Sequence, residues 1–246
     1  MAILWQKTIK NTRYEVRTAG QTCRLYTDGV FHSQFNPAHE VTGGVWDVLM
    51  LPAFFYPAES IQRVLVLGVG GGAVIHMLQT YIKPGEIIGI ELNPVHIMLA
   101  KRFFGITNKS AKLVQADAVK WLENYSGPPF DMIIDDLFGE QDGEPLRAVK
   151  ANKAWFEKLN SHLSPEGVLV MNFISSKDLK NCAAISYKKI AGHFKSSFQF
   201  TLTHYVNAVG AFLKKPATSQ ILRQRINEID ELKKSKKLDF HVRKIK

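Results

Sequence analysis

The sequence predicts an α/β fold: a Rossmann-like, mostly parallel sheet with helices on both faces, preceded by a small antiparallel β-domain. Three observations predict it. Val64-Leu65-Val66-Leu67 is a run of branched apolar residues of the kind a buried parallel strand needs, and it runs straight into Gly68-Val69-Gly70-Gly71-Gly72. A second apolar run, Glu86-Ile87-Ile88-Gly89-Ile90, stops at an acid, Glu91. Beyond it, strand-like and helix-like segments alternate, which is how parallel strands joined by helical crossovers read in one dimension.

The elements follow in order. Residues 12–17 and 23–27 alternate polar and apolar side chains as antiparallel strands do, and Asp28-Gly29 is a turn signal. Residues 41–55 predict a helix leading into the main domain, ended near Pro57. After the glycines, 73–78 reads as a helix. Residues 111–115 form a third strand ahead of Asp117, 117–124 a helix, and 130–136 a fourth strand ending in Asp135 and Asp136. A helix over 152–163 is stopped by Ser164-Pro165-Glu166-Gly167, and a fifth strand covers 167–172. A helix from 175 to about 193 and paired strands over 197–204 and 205–213 complete the pattern. The domains expected are a β-domain at 1–45, a nucleoside-binding α/β domain at 46–215, and a basic C-terminal helix or tail at 216–246.

The bulk numbers bound the function. A chain of 246 residues, 46% hydrophobic, sustains one large core with a small appendage. The net charge is +10, and eleven basic against four acidic residues from Lys214 onward put +7 of it in the tail. Such a tail attracts nucleic acid or an anionic surface, but it lacks the aromatic interleaving that stacks on bases, with Phe240 alone among its basic residues, so a solvated helix is the reading preferred. Cys23 and Cys182 have no metal-type spacing and fit a reduced, cytoplasmic setting. No signal pattern opens the sequence, and the apolar stretch at 48–55 is too short and too proline-broken for a membrane span. Neither a Ser-His-Asp nor a metal-ligand constellation stands out, which argues against hydrolase and metalloenzyme chemistry.

Gly68, Gly70 and Gly72 give G-x-G-x-G rather than the G-x-G-x-x-G of dinucleotide sites. That spacing suits S-adenosylmethionine, which has no pyrophosphate to cradle. An acid about 20 residues past the glycines, here Glu91, commonly grips ribose hydroxyls. Glu91, Asp117 and Asp136 all fall at the carboxyl ends of predicted strands, where ligands bind in such sheets.

With these residues assembled, the chain resembles the spermidine synthase-like family of class I S-adenosylmethionine-dependent methyltransferase-fold transferases, which implies that fold for its main domain. The resemblance runs from about Leu25 to Asn172, through Leu25-Tyr26-Thr27-Asp28-Gly29-Val30, Leu51-Pro52-Ala53-Phe54-Phe55, the glycine loop, Glu91, Asp117-Ala118 and Phe130-Asp131-Met132-Ile133-Ile134-Asp135-Asp136, and more loosely to Leu213. It implies that Gly68, Gly70, Gly71 and Gly72 hold the donor and that Glu91 binds its ribose. It further implies that Asp117, with Ala118 beside it, takes the adenine amino group, and that Asp136 is the catalytic aspartate that activates an attacking amine, with Asp135 as the second candidate. It implies S-adenosylmethionine or its decarboxylated form as cofactor without a metal, a small-molecule or amine acceptor, and a homodimer. Trp46, His204 and Tyr205 are candidate pocket walls. Plainer readings stand beside these: Asp117 as a helix N-cap, Asp131 as a strand-start residue, one of Asp135 and Asp136 facing away from the site, Trp46, His204 and Tyr205 as core or surface, and His76 as structural.

The departures matter equally. The family's loop aspartate is replaced by Gly71, its second aspartate and following proline by Gly139 and Glu140, and the Tyr, Gln or His, and Glu of its entry helix by Val45, Trp46 and Asp47. A polycation needs paired carboxylates, so these losses, together with the room and amide donors Gly71 leaves for a donor carboxylate, predict S-adenosylmethionine itself and methyl transfer. The alternative is aminopropyl transfer from the decarboxylated donor, with Glu140, Asp142 or Glu144 rebuilding the acceptor site; a second is a non-catalytic nucleoside- or protein-binding member.

Overall fold

The computed structural model of the chain describes residues 1–141 and 144–246, with the backbone alone at 140, 141, 144 and 145. Its first unit is the antiparallel sheet β1 (Ala2–Ile9), β2 (Thr12–Ala19), β3 (Thr22–Thr27) and β4 (Val30–Phe35), paired in sequence order. Asp28 and Gly29 both take positive φ, 46° and 86°, the geometry of a tight hairpin whose twist matches its strands. Strand β1 lacks clean alternation because it is an edge strand, with Ile3 and Leu4 exposed.

The entry segment follows as α1 (Val45–Met50) and a tighter turn over Leu51–Phe55. Pro52 supplies no amide hydrogen for a continuing α-helix, so the single helix expected over 41–55 is shorter and changes pitch. The main sheet then builds up as β5 (Arg63–Leu67), α2 (Ala73–Met77), β6 (Glu86–Glu91), α3 (Pro94–Phe103), β7 (Lys112–Gln115), α4 (Ala118–Asn124) and β8 (Phe130–Asp135). A hairpin, β9 (Phe138–Gln141) and β10 (Glu144–Arg147), precedes α5 (Lys153–Ser161) and β11 (Leu163–Phe173). Three short helices, α6 (Ser176–Asn181), α7 (Ala183–Ser186) and α8 (Lys188–Ala191), replace the one expected over 175–193. The breaks fall at Cys182 and Tyr187, both extended, where the Ser186 hydroxyl donates back to the Cys182 carbonyl at 2.9 Å. Strands β12 (Ser196–Leu202) and β13 (Ala208–Leu213) pair antiparallel, as expected. The chain closes with α9 (Ser219–Asn227), α10 (Asp230–Lys234) and β14 (Phe240–Lys244). The tail is thus not only helical: β14 pairs with β12, placing Val242 opposite Phe200, and its alternation was masked by the surrounding lysines.

The eight strands lie in the order β14-β12-β13-β11-β8-β5-β6-β7. Strands β7, β6, β5, β8 and β11 are parallel, and β13, β12 and β14 continue the sheet antiparallel. Successive side chains point to opposite faces, so each strand feeds two cores. Val64, Val66, Met132, Ile134, Val168 and Val170 face one, against α1, α2 and α9. Leu65, Leu67, Ile133, Leu169 and Met171 face the other, against α4 and α5. The chain leaves β5 toward β6 on one side and reaches β8 on the other, so a crevice opens at the carboxyl ends of β5 and β8. Two amides lock that switch point: Gly68 N–H donates to the Ile90 carbonyl and Asp136 N–H to the Leu67 carbonyl, each at 2.9 Å. The small sheet roofs it. Tyr14, Val16 and Leu25 pack on Leu99 and Phe104, and the buried Ser33 hydroxyl accepts from Ala73 N–H at the start of α2. Among the described residues no helix is long and apolar enough to cross a membrane.

Candidate active site

A cavity of about 620 Å³ fills the crevice. Its donor-side wall is the glycine loop. Gly68, Gly70 and Gly72 have φ of 83°, 55° and 86°, a region where a β-carbon is strained. A β-carbon on Gly68 would overlap the Asp136 carbonyl, and one on Gly70 would come 2.9 Å from the His32 carbonyl. The loop is therefore clamped between the end of β8 and strand β4. Glu91, 8% exposed, binds it from below. One carboxylate oxygen accepts from Val69 N–H at 3.0 Å and Gly70 N–H at 2.9 Å, and the other from Asn93 N–H at 2.9 Å. Behind Glu91 lies the buried His96, its Nδ1 3.8 Å away and its Nε2 2.8 Å from the Thr27 hydroxyl. The His32 ring lies 4.9 Å from it and lines the cavity. Burial pushes both imidazoles down to about 4; at His32 the charge of His96 adds to the effect and that of Glu91 opposes it, so both are neutral near pH 7.

The acceptor-side wall centres on Asp136. Its Oδ1 accepts from Asn172 Nδ2 at 2.8 Å, and Asn172 Oδ1 in turn accepts from Asn207 Nδ2 at 3.2 Å. Burial pushes the Asp136 carboxyl up to about 6; the Asn172 bond and Arg147 oppose that rise, and the charges of Asp135 and Glu91 add to it. Trp46 and Phe31, edge to face at 5.1 Å, Phe138 and Tyr205 complete the wall.

Of the residues singled out in the sequence, Gly68, Gly70, Glu91 and Asp136 converge on this one cavity. Asp135 does not. Strand alternation turns it to the opposite face, fully buried, where its Oδ2 accepts from Arg147 at 2.8 Å and Trp155 Nε1 at 2.7 Å. It ties the hairpin and α5 to β8, which corrects its reading as a catalytic acid. Asp117 is exposed and caps α4, accepting from Lys120 N–H at 3.0 Å, with Ala118 buried behind it. It sits beside the Glu91 strand end, since Ala116 N–H donates to the Glu91 carbonyl. Gly72 caps α2, and Gly71 faces Ser33 and Phe104. Asp131 accepts from the Gln62 and Arg63 amides, a pin at the start of β5. His76 stacks on Phe35 at 4.0 Å. Trp46 and Tyr205 line the cavity, whereas His204 is exposed outside it. Asp47 is held by Thr42 and Gly43 inside the protein. The side chains of Glu140, Asp142 and Glu144 lie outside the described residues.

Sequence reasoning missed His32, His96, Asn207 and Arg147, which only the fold brings together. Asn172 did carry a signal: a carboxamide closing the apolar run Val168-Leu169-Val170-Met171 at a strand end.

The electrostatic case for a donor carboxylate meets a different loop. Four of the five amides from Val69 to Ala73 are already taken, two by Glu91, one by the Val69 carbonyl and one by Ser33. An aspartate at position 71 is a steric matter as well as an electrostatic one, since its β-carbon would stand 2.9–3.0 Å from Ser33 and Phe104.

A family model described as the spermine/spermidine synthase domain matches residues 47–224. The chain belongs to this family. A relative within it, polyamine aminopropyltransferase 2 of Caldanaerobacter subterraneus subsp. tengcongensis, is 28% identical over 194 residues, 77% of this chain. The match spans 61% of that relative, less than two thirds of its length. Among solved structures, a probable spermidine synthase from Corynebacterium glutamicum superposes with a TM-score of 0.67 at 16% identity, covering 92% of this chain and 87% of that one. Human methyltransferase-like protein 13 in complex with SAH gives 0.62 at 19% identity, covering 78% and 93%. The two structures establish the fold, which is the one both aminopropyl- and methyltransferases use. The family and its relative favour the aminopropyl reading over the methyl reading preferred from sequence.

Proposed function

We propose that the chain is an aminopropyltransferase that moves an aminopropyl group from decarboxylated S-adenosylmethionine to an amine. The observation that carries this is the charge of the cavity: Asp28, Glu91 and Asp136 line it, and among the described lining residues there is no Lys or Arg. A dicationic donor and a cationic acceptor suit such a wall, whereas a donor carboxylate would face acids with no counter-cation and few open loop amides. The names of the relatives point the same way.

Glu91 in this reading accepts from the ribose hydroxyls while bracing the loop, Asp117 stands at the adenine end, and Gly68 and Gly70 let the donor approach the backbone. The sulfonium supplies a carbon already activated for displacement. Asp136 then orients the acceptor: the nitrogen lone pair forms the N–C bond, the C–S bond breaks with its electrons left on sulfur, and the ammonium proton passes to Asp136 or solvent. Alignment and deprotonation are the whole task. A carboxyl near 6 is suited to that exchange close to neutrality. A cytoplasmic homodimer belongs to the same proposal.

Methyl transfer is the second reading, favoured by one feature: Gly71 leaves no loop acid for the donor ammonium, and Ser33 and Phe104 fill that space. Incubating the protein with both donors and a panel of amines decides between them. Methylthioadenosine with an aminopropylated amine is the expected product; S-adenosylhomocysteine instead would establish the second reading. Glu91→Gln is expected to weaken methylthioadenosine binding about 10- to 100-fold by calorimetry, because a charge-assisted acceptor is worth about 1.5–3 kcal/mol. An unchanged affinity would remove Glu91 from the donor site.

A further inference from the structure

Three polar side chains on the acceptor wall form a one-way chain of hydrogen bonds. Asn207 Nδ2 donates to Asn172 Oδ1 at 3.2 Å, and Asn172 Nδ2 donates to Asp136 Oδ1 at 2.8 Å. Asn172 is 3% exposed and lies one residue from the end of β11, paired with Val209 of β13 just past the last β8 pairing, Met171 with Asp135, so the sheet fixes its backbone. Its carbonyl accepts from the Arg147 guanidinium, and the same guanidinium holds Asp135, the residue before Asp136. Each carboxamide thus turns its NH2 group toward the next acceptor, and the series ends on the carboxylate that faces the cavity.

We infer that Asn172, braced by Asn207 and Arg147, is a positioning residue that fixes the rotation of the Asp136 carboxylate and favours its ionised form. A carboxylate in a closed site has a soft terminal torsion, so an unbraced one would share its occupancy among orientations. A neutral amide donor stabilises the charged form without bringing in a cation that would repel an amine substrate. Among the described residues, the charged groups around Asp136 are Asp135 and Glu91, which oppose its ionisation, and Arg147, which favours it from the hairpin side. The inference rests on the proposed role of Asp136, but the central test does not need turnover.

That test is a carbon-detected NMR titration of the Asp136 carboxyl in the full chain, wild type against Asn172→Ala. Loss of a hydrogen bond to a charged acceptor is expected to raise the midpoint by about one pH unit. Asn207→Ala, which leaves the buried residue in place, is expected to raise it by a smaller amount in the same direction. A midpoint that stays put or falls in both variants overturns the inference. In the transfer assay, the acid limb of the kcat/KM profile should follow the NMR midpoint while methylthioadenosine affinity is unchanged. In an Asp136→Asn background, Asn172→Ala should then cost nothing further, and an equal cost in both backgrounds would also overturn it. If the midpoint moves and no transfer is seen with any donor, the positioning role stands and the transferase reading falls.

Discussion

Asp136→Asn is expected to lower kcat by about 100- to 10,000-fold and at the same time to make the protein more stable at pH 8. Both effects have one cause. The Asp136 carboxyl is pushed from an ordinary 3.8 up to about 6, mainly by burial in the cavity wall. A group with a raised folded-state value binds its proton more tightly when folded. Native stability is therefore complete below about pH 4, where the proton is bound in both states, and falls as the pH rises through 6. About two pH units correspond to roughly 3 kcal/mol, an upper figure for what the ionised side chain costs the fold. Asparagine keeps the shape and the reach of the side chain without the charge. Urea unfolding should show a gain of about 1–3 kcal/mol at pH 8, with the midpoint of thermal unfolding up by several degrees, and little or no gain at pH 4. A variant that is inactive and also destabilised at pH 8 would mean that Asp136 is held as part of the architecture and not as a strained functional group.

Arg147→Met is expected to have the largest effect on stability. Arg147 is nearly buried, 2.8 Å from the fully buried Asp135, and lies over the rings of Phe138 and Phe173 at 5.8 and 5.6 Å. Removing one partner of a buried pair leaves the other charge uncompensated, which costs about 3–5 kcal/mol. Trp155 Nε1 and the Leu137 amide still donate to Asp135, but two neutral donors do not replace a guanidinium. The double variant Arg147→Met with Asp135→Asn should recover most of the loss, since the orphaned charge goes with it. A single variant costing less than about 1 kcal/mol would show that water reaches Asp135 once the arginine is gone.

The parallel sheet was legible because its strands are buried on both faces: a branched apolar run such as Val64-Leu65-Val66-Leu67 suits a buried strand, and the glycines after it mark where the backbone must bend. The donor half of the site was legible for the same reason, since Gly68, Gly70 and Glu91 sit where strands end. The acceptor half was legible only in part, through Asp136 at a strand end and Trp46 and Tyr205 as candidate walls. Asp135 and Asp136 are adjacent in sequence, and only the strand register decides that one faces the cavity and the other Arg147. Phe31, Trp46, Asn172 and Asn207 come from four separate segments with no spacing rule to connect them. Strand β14 was hidden because an edge strand exposes one side, and its lysines and arginines read as a solvated tail. The electrostatic argument for the full donor is weakened because it counts the amides of the glycine loop as open, whereas Glu91 and Ser33 reach them through the tertiary fold.

The contact between Gly68 and the Asp136 carbonyl has an evolutionary side. Donor loop and acceptor acid touch backbone to backbone, so neither can drift without disturbing the other, and mutation there is confined. Apart from Asn172, the remaining acceptor wall comes from β4, from α1, from β9 and from the connection between β12 and β13, all of it away from that contact. A change of acceptor can therefore be written into those four segments while the nucleoside end keeps its geometry.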